Sequence, residues 1–90
     1  MKPFDKKQVE KFSDIFPELT PDQLETAMLF VLGITKQEIA SLRSVMYKAV
    51  ETMLDEIKVK FNVYSLSNLL SIFQIRLFFF VIVKSIFKIE

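Results

Sequence analysis

Two helix starts stand fifteen residues apart in this chain and are written with the same device. In LTPDQL, residues 19–24, Thr20 is placed to accept from the N–H three residues on, and Gln23 can reach back to the Thr20 amide. Leu19 and Leu24 flank this capping box as a hydrophobic staple. Pro21 falls at the first helical position, where a missing N–H does no harm. ITKQEI, residues 34–39, repeats the pattern with Thr35, Glu38, Ile34 and Ile39. Between the two boxes stands Gly33, the only glycine, where a left-handed C-terminal cap is wanted. The middle of the chain is thereby constrained to two consecutive helices, the first running to about Leu32 and the second ending near Leu42 or Arg43.

The remaining elements follow from apolar spacing. Val9, Phe12 and Phe16 form a stripe that Lys6, Lys7, Glu10 and Lys11 avoid, and Pro17 pushes the residue before it out of the helical region. This predicts an amphipathic helix from Asp5 to Ile15 with a solvated charged face. After a joint at Ser44 and Val45, the residues Val50, Leu54, Ile57 and Phe61 keep 3–4 spacing, so a helix from about Met46 faces the core with them. Lys48, Glu51, Thr52, Asp55 and Glu56 are left outside. Asn62 suits its end, and Ser65 can cap a last helix that buries Leu66, Leu69, Leu70 and Phe73. Met28 and Met53 read as core filler.

Over residues 19–70 this sequence resembles the helix-turn-helix output domain of LuxR/NarL-type bacterial transcription regulators. The resemblance rests on LTP at 19–21, Glu25, Gly33, EIA at 38–40, Val45, Lys48, Val50, Leu54, Ile57, Lys60, Val63 and Ser65, at intervals that match without a gap. It implies four helices, with the third, about 46–60, as the recognition helix. The DNA-facing set it implies is Lys48, Glu51, Thr52 and Asp55, with Lys58 and Lys60 nearby. It also implies dimerisation through the last helix, which places Leu69, Leu70, Phe73, Leu77 and Phe80 at the contact with a second copy.

The chain departs from the family pattern at several points. Ser44 stands where a Gly is frequent, Arg43 follows Leu42 where a core Leu is expected, and Met46 replaces a capping Ser or Thr. Without that cap the helix has an alternative start at Ser44. Glu51 and Asp55 occupy positions that often carry Lys in the family. A carboxylate can accept from a cytosine amine, but it opposes the phosphate field. Lys58 and Lys60 also suit the C-terminal end of the helix dipole.

Charge and composition narrow the function classes. Ninety residues make a single domain, spanning 1–90, and the formal net charge is +1, so any affinity for nucleic acid has to come from local clustering. With no Cys and no His there is no thiolate nucleophile, imidazole acid–base chemistry, disulfide or ordinary zinc site. Glu51, Asp55 and Glu56 lack the partners for an acid–base or metal site. The expectation is therefore no enzyme, no cofactor and no metal.

The tail, residues 71–90, is apolar nearly all round, with Phe73, Phe78, Phe79, Phe80 and Phe87 in it or at its border. A domain of this size cannot cover such a surface alone. A partner subunit is the favoured cover, ahead of a membrane interface anchored by Arg76, Lys84 and Lys88, or an edge strand formed by LFFFVIV. No uninterrupted run of about 18 apolar residues occurs, so no membrane-spanning helix is expected, and membrane association is disfavoured. The polar N-terminus is no secretory signal, and a cytoplasmic location fits.

The expected fold is all-α: an N-terminal helix at 5–16, a tetrahelical helix-turn-helix core and an elongated apolar C-terminal helix. The expected function is a stand-alone LuxR-like bacterial transcription regulator that binds double-stranded DNA as a homodimer. The alternative is a protein-interaction module of the same shape that meets a regulator protein instead of DNA.

Overall fold

The computed structural model describes residues 3 to 86, and these form five helices and no strand. They are α1 (Lys6–Ile15), α2 (Pro21–Val31), α3 (Lys36–Arg43), α4 (Tyr47–Lys60) and α5 (Leu66–Ile86). The boxes at Thr20–Gln23 and Thr35–Glu38 form as expected, with the side chain of each cap accepting from the third residue. A third box escaped the spacing analysis. Asp5 accepts from the Gln8 N–H at 2.9 Å, and Gln8 Oε1 accepts from the Asp5 N–H, so Asp5 is the cap of α1 rather than its first residue.

Three helix ends share one geometry. Gly33 donates to Phe30 O and Ile34 to Leu29 O, Ser44 to Ser41 O and Val45 to Ala40 O, and Asn62 to Val59 O and Val63 to Lys58 O. Each pair closes a Schellman turn around a left-handed residue: Gly33 at φ +87, Ser44 at +57 and Asn62 at +57. Gly33 and Asn62 are residue types that adopt this region readily; Ser44 is strained there. Ser44→Gly should therefore stabilise the domain by about 0.5–1 kcal/mol, seen as a higher urea midpoint with an unchanged slope.

α4 begins at Tyr47, not at Ser44. Met46 is the cap residue, with extended backbone, and its side chain accepts nothing. Ser44 is spent on the left-handed turn that ends α3, so it cannot also open α4. Ser44, Val45 and Met46 are the whole joint.

The core is one cluster: Phe16, Leu19, Leu24, Ala27, Met28, Leu29, Ile39, Ala40, Val50, Leu54, Ile57, Leu69 and Phe73. Every helix but α1 places buried residues in it, while α1 contributes half-buried Val9, Phe12 and Ile15 and leads into Phe16. Polar fasteners ring the cluster. Arg43 at the end of α3 donates to Thr26 Oγ1 at 2.6 Å and to Asp22 on α2, and pairs with Glu25. Lys60 at the end of α4 donates to Glu18 O and to Gln23 Oε1. Arg76 on α5 grips both Glu18 carboxylate oxygens, at 2.8 and 2.7 Å, and donates to Ile15 O at the end of α1. The hydrogen bonds from Arg76 hold the Glu18 carboxyl below its usual pKa.

α5 bears on the expectation of no helix suited to spanning a membrane. It runs 21 residues, long enough and apolar enough on average to cross a membrane, because Arg76 and Lys84 interrupt the apolar runs without lowering the mean sufficiently. Its first half is nevertheless fixed to the domain through Leu69, Phe73 and Arg76. The strand option for LFFFVIV is excluded, since residues 77–83 are helical.

Candidate nucleic-acid interface

α3 and α4 meet across the three-residue joint, and each turns one stripe inward: Ile39 and Ala40 from α3, and Val50, Leu54 and Ile57 from α4. The opposite stripe of α4 is covered by no other part of the described chain. It presents Lys48, Ala49, Thr52, Asp55, Glu56 and Val59 to solvent.

The charges on this surface fall into two groups. At the start of α4, Glu51 stands between two lysines. Lys36 Nζ lies 3.6 Å from one of its carboxylate oxygens, and Lys48 Nζ lies 3.9 Å from the other. Two cations share one anion, and the Lys48 side chain stays 83% exposed. The first-turn N–H groups of α4 receive no side-chain cap, and they add the positive end of the helix dipole to the same spot. Tyr47, half exposed, stands beside them. Further along, Lys58 pairs with Asp55 at 3.2 Å, leaving Glu56 to make that end net negative.

The six expected DNA-facing residues are therefore not brought to one surface. Lys48, Glu51 and Thr52 lie together at the start of α4. Asp55 and Lys58 neutralise each other further along the helix. Lys60 is turned to the loop between α1 and α2, where its ammonium satisfies a carbonyl and an amide oxygen; it is a fastener of the fold. The match of Lys60 to the family pattern in sequence carried no information about this direction. Lys36 and Tyr47 were missed. Lys36 lies on α3, and no spacing within one helix shows that it faces Glu51; Tyr47 follows an uncapped start and gives no signal of its own.

The expected dimer contact is also redistributed. Leu69 and Phe73 are wholly buried in the chain's own core, so their surface is already used. Leu70 and Leu77 are half-buried, and Phe80 remains 38% exposed. Comparison with protein-family models, with curated proteins and with solved structures finds no match.

Proposed function

We propose that this domain binds duplex DNA, with α4 entering the major groove by its N-terminal end. The observation that carries the reading is the Lys36–Glu51–Lys48 group at the open, uncapped start of α4. In helix-turn-helix binding it is the N-terminal residues of the second helix that reach base edges, while neighbouring groups hold phosphates. Lys36 and Lys48 are the phosphate contacts. Tyr47 OH can serve a third. Glu51 and Thr52 face the bases, where a carboxylate reads a cytosine amine and a hydroxyl reads either partner of a pair. The small side chain of Ala49 lets the backbone approach closely.

Binding of the chain to random-sequence duplex DNA over a salt series tests this. Lys48→Ala and Lys36→Ala should each reduce the slope of log affinity against log salt by about 1. Lys60→Ala should leave that slope unchanged, since its ammonium points elsewhere. A chain with no affinity at low salt, or equal effects from all three lysines, would sink the proposal.

A second reading has its own observation. The far half of α4 and the turn after it expose Glu56, Val59 and Tyr64, the last two 77% and 90% exposed. An acidic and apolar surface of this kind suits a basic protein better than a phosphate backbone. Stable association with another protein, with no salt-dependent retention on DNA, would favour that interaction module over a DNA reader.

A further inference from the structure

Among the described residues, Glu51 is the only carboxylate that two lysines share. Lys36 comes from the first turn of α3 and Lys48 from the first turn of α4. The contacts are loose. At 3.6 and 3.9 Å neither ammonium makes a hydrogen bond to the carboxylate, whereas Arg76 grips Glu18 at 2.7 and 2.8 Å. Exposed ion pairs of this kind stabilise a fold little, so the group is no fastener like those of Arg43, Lys60 and Arg76. Two ammoniums, one from each helix, converge on one anion, and Glu51 fills the anion's place in the free chain. The three side chains sum to one positive charge, where the lysines alone would offer two.

The chemistry of the groove decides what can draw Glu51 away. An ionised carboxylate only accepts hydrogen bonds. In the major groove the cytosine amine donates, while guanine N7 and O6 and thymine O4 are acceptors that oppose a carboxylate. The adenine amine donates too, but it stands beside the N7 acceptor.

We propose that Glu51 is the discriminating residue of this interface: it is the built-in counter-ion of Lys36 and Lys48, and it releases them to phosphates where a cytosine amine takes their place. Over other bases the carboxylate stays with its lysines, and their charge is half spent. One side chain thereby holds down binding to duplex of arbitrary sequence and couples phosphate contact to a base. This inference rests on the DNA reading of the start of α4.

The test is titration of the full chain, by fluorescence anisotropy over a salt series, into two duplexes of equal length, one of G·C pairs only and one of A·T pairs only. The unaltered chain should prefer the G·C duplex about fivefold at low salt. Glu51→Gln should bind the A·T duplex about tenfold more tightly than the unaltered chain does, with a salt slope steeper by about 1, because one net charge is gained. Its preference should move to A·T, since an amide pairs with adenine N6 and N7. Glu56→Gln removes the same charge from the far half of α4 and should leave the preference unchanged. Loss of a loose surface pair keeps the fold, and an unaltered thermal midpoint verifies this. Salt-dependent DNA binding that Glu51→Gln does not tighten would overturn the proposal and leave the DNA reading standing. Tighter binding with an unchanged preference, or the same change from Glu56→Gln, would also overturn it. No binding of any chain to either duplex at low salt would remove the DNA reading and this inference together.

Discussion

Phe73→Ala should cost about 3–5 kcal/mol, out of the roughly 5–15 kcal/mol that holds a domain of this size together. Phe73 is wholly buried and sits at the meeting point of three helices. Its ring lies 4.8 Å from that of Phe16, at the end of α1, and 5.4 Å from that of Phe61, at the end of α4. Phe16 and Phe61 also meet edge to face at 6.5 Å, closing a ring of three aromatics. Arg76 covers this group from the surface, its guanidinium 5.5 and 5.1 Å from the Phe16 and Phe61 rings. Truncating Phe73 removes the only aromatic that α5 gives to the group and leaves a cavity between three helix ends, which cannot all close at once.

Urea unfolding measures the loss, with Phe78→Ala as the control on the same helix. Phe78 is 63% exposed, so its truncation should change stability by no more than about 0.5 kcal/mol. A small cost at both positions would mean that α5 is not docked in solution, and a membrane-spanning role for this helix would then regain its force. A large cost at Phe73 alone ties the first half of α5 to the core and leaves only the second half for a partner or a surface.

The contrast between these two phenylalanines marks where sequence reasoning works in this chain. The helix starts at Thr20 and Thr35 were readable because a capping box places both partners within three residues, and the ends at Gly33 and Asn62 because those residue types favour a left-handed turn. The buried stripe of α4 was readable for the same local reason: Val50, Leu54 and Ile57 repeat with the helix. Asp5 is equally local, and its box with Gln8 went unseen because such a box is ordinarily opened by Ser or Thr rather than Asp. The candidate interface was less legible. Lys60 matches the family pattern in number, yet its direction is set by Glu18 and Gln23, some forty positions away. Lys36 joins Lys48 only because α3 folds back on α4. The spacing of Leu66, Leu69, Leu70 and Phe73 after Ser65 marked the first half of α5 as core, and Leu69 and Phe73 are buried there; what it could not show is where burial stops, since Phe73 and Phe78 are equally apolar and the end of the domain along the helix decides it.

Arg43 stands near the position where the resemblance leads one to expect a core leucine, and its replacement should have the second-largest effect. A core leucine is expected near this position, and Arg43→Leu would be read from the sequence as a repair. The structure predicts the opposite, a loss of about 2–3 kcal/mol. The Arg43 side chain is only 11% exposed and stands among polar partners. It donates to the buried Thr26 hydroxyl and to Asp22, and its Nε lies 3.5 Å from Glu25, itself mostly shielded from solvent. Leucine would leave the Glu25 carboxylate and the Thr26 hydroxyl without their partner in a place where water reaches them poorly. Part of the loss is recoverable: Thr26 can turn its hydroxyl to the carbonyl four residues back, Asp22 O, which Arg43 no longer occupies. A double-mutant cycle with Thr26→Val separates these contributions. If Arg43 and Thr26 form one fastening, the two changes together should cost less than the sum of the single ones by about 1 kcal/mol. Strict additivity would place the whole effect on Glu25 and Asp22 instead. Because Arg43 closes α3 immediately before the joint, the single variant should also loosen the angle at which α4 is offered, and on the proposed DNA reading its affinity for duplex DNA should fall even under conditions where the domain stays folded.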